Sequence, residues 1–236
     1  MKARIAALVA ISAVVATGLA APAHAYDDKA YAYAAGHMIQ RSDIPKVLGK
    51  FRNTMAFNAY APDDAISMCS LQQPGDTPST EVNFPVGTYE FNANYNAGGA
   101  GAPSLASFVY QYSTTGNAIA AFHKATTQAK RCAGQHSSSW TDPDSGSVST
   151  YTTVTTNGVV PAVQTAGVKS VFVNVNSEAA STGAGPYQTD QYQVFSLIDD
   201  VVIVTLYNMN SADNVTTSQR KAVNQVAFNA ETAWLN

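Results

Sequence analysis

Charge, cysteine and long apolar runs are all scarce in this chain of 236 residues, and each scarcity closes off a class of protein. Charged residues make up 12% of it, with 13 Lys and Arg against 16 Asp and Glu and a formal net charge of −3. A protein that tracks a phosphate backbone needs a clustered basic face, so nucleic acid is not an expected partner. Only one apolar stretch is long, Ile5 to Leu19. No later run approaches the length of a membrane span. There are two cysteines, Cys69 and Cys132, and no full set of His and Cys ligands at metal-site spacing accompanies them. Neither a metal site nor a cofactor is expected.

Catalytic signatures are missing as well. No Gly-x-Ser-x-Gly occurs, so a nucleophile elbow has no basis in the sequence. Gly98, Gly99 and Gly101 precede a strand-like segment rather than a helix, which removes the phosphate-cradling reading. Asp142-Pro143-Asp144-Ser145-Gly146 looks like part of a calcium loop but lacks the full ligand spacing and the terminal glutamate; it reads as a turn. Asp63-Asp64 and Asp199-Asp200 are adjacent carboxylates, whereas a glycosidase pair faces its sugar across about 5 to 10 Å. His37, His123 and His136 are scattered, His123 beside the apolar stripe of a helix and His136 in a Ser-rich stretch.

The N-terminus carries the clearest positive signal. Lys2 and Arg4 precede the apolar run, and Ala23-His24-Ala25 supplies the small-x-small pattern of signal peptidase. Residues 1–25 are therefore expected to be a signal peptide cleaved after Ala25, and 26–37 a poorly fixed lead-in. No cysteine follows the apolar run, which excludes a bacterial lipid anchor. Cleavage leaves 11 basic against 16 acidic residues, a formal charge of −5. The mature chain is expected to be secreted, outside the cell or in its envelope, and monomeric. In an oxidising compartment Cys69 and Cys132 most simply form one disulfide, worth about 4 kcal/mol in the chain-entropy model for a loop of this length.

Tyr187 to Tyr207 is the organising stretch. It reads as a β-hairpin turning at Asp199-Asp200, with Val201-Val202-Ile203-Val204-Thr205-Leu206-Tyr207 as an uncharged, largely β-branched return strand. The pleat puts Phe195, Leu197, Val202, Val204 and Leu206 on one face. Tyr192, Val194, Ile198, Val201, Ile203 and Tyr207 fall on the other. Both faces demand cover, which only a central strand pair receives.

Further strands are expected at 53–59, 88–95, 105–112, 148–156 and 168–175, and a loop over 135–147. Asn117 to Cys132 has helical period, with Ala118, Ala121, Phe122, Ala125, Ala129 and Cys132 on one stripe and Asn117 as N-cap. A final helix runs from an Asp213 cap to Trp234, with Arg220, Lys221, Asn224, Gln225 and Glu231 on its wet side. Ser42 to Gly49 reads as a short helix holding Pro45 in its first turn. The sum is an α+β single domain: a twisted antiparallel sheet of about six strands with two long amphipathic helices packed against it. Helices on one sheet face would leave the other face, or the gap between hairpins, as a concave binding place.

Twelve tyrosines and two tryptophans are the remaining chemical signal. Trp140, Tyr192 and Tyr207 are the residues proposed to line a ligand groove, against the plain alternative of sheet packing.

Three segments carry a family likeness. Met38-Ile39-Gln40-Arg41-Ser42-Asp43-Ile44-Pro45-Lys46-Val47-Leu48-Gly49, then Ala120-Ala121-Phe122 running into Lys130-Arg131-Cys132-Ala133-Gly134, then a closing Ala233-Trp234-Leu235 occur in that order. The chain from 38 to 236 thereby resembles the actinobacterial extracellular sensor-domain family, best known from the outer domain of PknH-type mycobacterial serine/threonine kinases. That resemblance implies an α+β domain with a cleft for an unknown extracellular molecule. It departs from the kinase sensor in having one cysteine pair instead of two disulfides, and in encoding no kinase domain. The resulting expectation is a non-enzymatic, sensor-like domain that binds an unknown small molecule or wall fragment in the envelope or medium. Two other classes compete: a secreted hydrolase, in which His136 or His37 would meet a carboxylate and a Ser or Thr, and a protein–protein interaction module.

Overall fold

Val201–Met209 forms β8, and its burial explains the arrangement of everything else. Val201 to Thr205 and Tyr207 are all buried, on both sides of the strand. A strand apolar on both faces is stable only with neighbours on each edge and a layer on each side. The computed structural model, which describes residues 36–49, 56–60, 89–96, 102–112, 114–141, 144–160, 167–181, 184–209 and 214–236, supplies all four.

The strands in chain order are β1 (Ala56–Tyr60), β2 (Tyr89–Asn96), β3 (Ser104–Gln111), β4 (Gly134–Thr141), β5 (Val148–Val159), β6 (Lys169–Ser181), β7 (Ala184–Ile198) and β8. They make one sheet in the order β1-β2-β3-β8-β7-β6-β5-β4, every neighbouring pair antiparallel. The chain builds β1 to β3, crosses to the far edge, and meanders back until β8 closes against β3.

Helix α1 (Thr115–Arg131) makes that crossing. Five strand intervals span about 24 Å. Its 17 residues reach about 25 Å, so the helix is as long as the crossing requires. Thr114 caps it, its hydroxyl accepting the Asn117 amide at 3.2 Å, so the expected Asn117 cap lies one turn inside the helix. Asn157 on β5 donates its side-chain amide to the Ala129 carbonyl at 2.8 Å and ties down the helix end.

Helix α2 (Thr217–Leu235) begins at Thr216, whose hydroxyl accepts from the Gln219 amide while the Gln219 side chain takes the Thr216 amide. Thr216 is thus the cap, and Asp213, the expected one, lies outside the described residues. The short helix expected over 42–49 is instead two 3-10 turns, Arg41–Asp43 and Lys46–Leu48. Pro45 sits between them and holds Ile44 extended, at φ −89° and ψ 111°.

The α+β architecture is as expected, with two corrections. The stretch 135–147 reads as a loop in the sequence, yet Gly134–Thr141 is β4, an edge strand paired with β5 from Gly134↔Thr155 to Thr141↔Val148. Its Ser-rich sequence lacks the apolar alternation that betrays a strand, because an edge strand has little to bury. Nor do the helices share a face. One core joins α1 through Phe122 and Ala125 to Phe195, Leu197, Val202 and Val204. The other joins α2 through Val223, Val226 and Ala227 to Val194, Ile203 and Tyr207, with Met38, Ile39 and Leu48 of the entry segment. The helices flank the sheet, α1 on one side and α2 on the other.

Glycine matters at one close approach. Gly158 pairs with Phe172 across β5 and β6, and a Cβ there would stand 2.8 Å from the Phe172 ring. The ring thereby lies over the glycine and stacks on Tyr192, with centroids 5.5 Å apart.

Candidate functional site

The strand registers sort the α1 side of the sheet into transverse rows. Nearest the β7–β8 turn run Lys169–Leu197–Val202–Tyr110 and Val171–Phe195–Val204–Phe108. These largely apolar rows lie beneath α1. The next row, Asn157–Val173–Gln193–Leu206, is mixed. Beyond it come Thr155–Val175–Gln191–Asn208 and His136–Thr153–Ser177–Thr189. Along one face, the surface therefore grades from apolar to amide and hydroxyl, with no Asp, Glu, Lys or Arg in these last three rows.

Gln191 and Gln193 are half-buried and bond to each other, the Gln193 amide donating to the Gln191 carbonyl oxygen at 3.3 Å. Thr153 is 5% exposed and its hydroxyl has no hydrogen-bond partner. A buried hydroxyl without a partner calls for an explanation, since leaving it so costs about 1 to 3 kcal/mol. Trp140 belongs to this side by backbone register, opposite Ser149 in β4–β5. Tyr151 and Tyr187, opposite Ser138 and Ala179, hold register positions of the same face.

Tyr192 and Tyr207, the other two proposed groove residues, are built into the core under α2. Tyr192 is buried, donates its hydroxyl to Asn224 at 3.0 Å and has the Arg220 guanidinium 5.8 Å from its ring centroid. Tyr207 donates to the Leu48 carbonyl at 2.8 Å and accepts from Gln219 at 3.2 Å, pinning the entry segment to β8 and α2. Burial raises both phenol pKa values, that of Tyr207 to about 12. These hydroxyls hold the fold together and do not face a groove.

A second polar cluster lies between α2 and the sheet. Glu231, expected on the wet side of its helix, is 2% exposed, and Asn224 is also buried. Glu231 follows Ala227 by four residues and so shares its stripe. One carboxyl oxygen, Oε1, accepts hydroxyl hydrogens from Ser170 of β6, at 2.9 Å, and Ser196 of β7. Oε2 has no partner. Burial raises the carboxyl pKa, and the two serine hydrogen bonds only partly offset it.

A hydrolytic constellation needs a base to take the serine proton. No histidine bonds Glu231, and both serines are closed from solvent, so the cluster fastens α2 to β6 and β7. Asp190 does similar work near the start of α2, accepting from Asn174 at 2.7 Å and from the Val215 amide at 2.6 Å.

The histidines fall on three separate elements. His37 stands edge-on to Trp234 with centroids 5.8 Å apart, His123 is exposed on α1, and His136 is on β4. No cluster of three metal-capable side chains occurs among the described residues. No helix of the described residues is long and apolar enough to cross a membrane. Cys132, at the end of α1, is 2% exposed and is not a free thiol; Cys69 lies outside the described residues.

Sequence reasoning missed Gln191, Gln193 and Thr153. The signal was present in part, because Gln191 and Gln193 share the parity of Phe195 and Leu197 and so mark the polar end of that face.

Sheet order and helix placement define the class: an α+β domain whose single antiparallel sheet carries a helix on each side. No family model matches the chain, and no curated protein matches it by sequence. Among solved structures it is similar to the extracellular domain of PknH from Mycobacterium tuberculosis. The TM-score is 0.52 at 14% identity, over 86% of this chain and 95% of that chain. A putative uncharacterized protein from Mycobacterium smegmatis, the Rv0999 ortholog, aligns at TM-score 0.37 and 12% identity, over 83% of this chain and 96% of that one. The first likeness shows a common fold, as the sequence resemblance implied.

Proposed function

We propose that this chain is an exported, monomeric, sensor-like binding domain that holds a small molecule or wall fragment and carries out no catalysis. The binding place is the polar half of the α1 side of the sheet. One observation supports this reading: α1 packs on the apolar rows and reaches Val173 and Val175, while Gln191, Gln193 and Ser177 in the adjoining rows are polar and partly exposed. The shared fold with a kinase extracellular domain supports a location outside the cytoplasm.

The test is a comparison of 1H–15N spectra of labelled protein with and without a small-molecule extract of cell envelope and medium. Shifts concentrated on β5 to β8 at the polar rows are expected. Shifts confined to the α2 side, or none, would overturn the reading.

Two features of export belong to the same proposal. Signal cleavage after Ala25 predicts a mature protein beginning at Tyr26, which the intact mass of exported material reads directly. A Cys69–Cys132 bond predicts that peptide mapping without reductant recovers the two peptides joined; two alkylatable thiols would refute the bond.

A further inference from the structure

We propose that the ligand of this face is a neutral, polyhydroxylated molecule, a carbohydrate chain in contact with Thr153, Gln191 and Gln193. This rests on the binding-face reading above and narrows it to one chemistry.

The first argument is charge. The three rows beyond the α1 core hold amides, hydroxyls, a few small apolar residues and one imidazole, His136, with no acidic or cationic side chain. An anionic or cationic ligand seated there would lose hydration without gaining a counter-charge, which is costly in a partly desolvated site. A neutral ligand avoids that cost.

The second argument is hydrogen bonding. After their mutual bond at 3.3 Å, the Gln191 side chain keeps both its N–H donors and the Gln193 side chain keeps its carbonyl oxygen. A donor and an acceptor presented side by side match vicinal hydroxyls, each of which gives one hydrogen and accepts another. Thr153 adds a hydroxyl that is buried and unpartnered in the free protein. A ligand hydroxyl would satisfy it.

The third argument is exclusion. An acyl chain or extended apolar ligand finds no bare apolar surface here, since the apolar rows are already occupied by α1.

The experiment titrates the full mature chain with maltopentaose and triacetylchitotriose as neutral probes, tri-galacturonic acid as an anionic probe and decanoate as an apolar one. Calorimetry and 1H–15N shifts are the readouts. At least one neutral oligosaccharide is expected to shift the amides of Thr153, Thr155, Gln191 and Gln193, and to bind tenfold or more tightly than tri-galacturonic acid. Gln191→Ala with Gln193→Ala is expected to weaken that binding at least tenfold. Thr153→Val is expected to weaken it severalfold while leaving the melting temperature equal or higher, a combination that a purely structural threonine would not produce.

If tri-galacturonic acid or decanoate binds this face more tightly than either neutral sugar, the carbohydrate assignment falls and the binding face stands. If neither neutral sugar shifts these residues, the assignment falls. If the envelope extract also leaves them unshifted, the binding-face reading falls with it.

Discussion

The two sides of the sheet are built to different ends. On the α2 side, the helix and the entry segment from Met38 to Leu48 together bury Val194, Ile198, Ile203 and Tyr207, and the Tyr192 and Tyr207 hydroxyls are bonded to Asn224 and Leu48. On the α1 side a single helix covers the apolar rows, and the amide and hydroxyl rows go on past it. Among the described residues, one side is covered by two elements and the other by one helix. Under the proposed function, recognition falls to the partly exposed Gln191, Gln193 and Ser177 of the α1 side.

That contrast breaks most sharply if the helix-covered part of the α1 side is emptied. Phe195 is 1% exposed beneath α1, and Phe195→Ala is expected to cost about 3 to 5 kcal/mol in denaturant unfolding. A loss below about 1 kcal/mol would mean that α1 packs loosely and that the division of this face into a core half and a binding half is wrong.

On the α2 side, Tyr207→Phe removes the hydroxyl that joins Leu48 to β8 and leaves the Leu48 carbonyl without that partner. A loss of about 1 to 3 kcal/mol is expected, with faster proteolysis near Gly49 before global unfolding. Unchanged proteolysis would show that the entry segment is held by its apolar contacts alone.

Glu231 sharpens the comparison through pH. Its carboxyl pKa is raised in the folded protein by burial, so the folded state holds the proton more tightly than the unfolded chain. The protein is therefore expected to lose stability as pH rises above the unfolded carboxyl value of about 4.3 and on through the raised folded value. Glu231→Gln removes that dependence. Melting curves of the two proteins are expected to converge at low pH and to separate toward neutral pH with the variant the more stable. Parallel curves would show that Glu231 titrates normally.

The smallest effect belongs to the polar rows of the α1 side. Thr153→Val replaces an unpartnered buried hydroxyl with a methyl group, and a gain of up to about 1 kcal/mol is expected in the unliganded protein. A loss of stability would mean that the hydroxyl already has a partner and is not held for a ligand.

Much of this was legible residue by residue. Period-two alternation placed Phe195, Leu197, Val202 and Val204 on one face of the hairpin and Val194, Ile198, Ile203 and Tyr207 on the other, and the two cores divide along that line. The helical stripe of α1 was equally plain, because Ala118, Phe122, Ala125 and Ala129 recur at the spacing that one side of a helix repeats. The caps fall a few residues from the expected ones because Thr114 and Thr216 supply the accepting hydroxyls. Glu231 was read as wet because a carboxylate ordinarily is, and nothing local announces two serines 61 and 35 residues away that will meet it.

What the sequence determined alone is therefore the local pattern: which residues share a face, where helical period replaces strand period, and that the central hairpin needs cover on both sides. Tertiary structure decided which helix covers which side, that 134–141 joins the sheet as an edge, and which polar residues of the α1 side stay partly exposed. The physical reason is that alternation is carried by neighbours in the chain, whereas cover depends on how far a connection must reach. The 17 residues of α1 cross the sheet over the apolar rows and share a core with Val173 and Val175, while Gln191, Gln193 and Ser177 stay partly exposed.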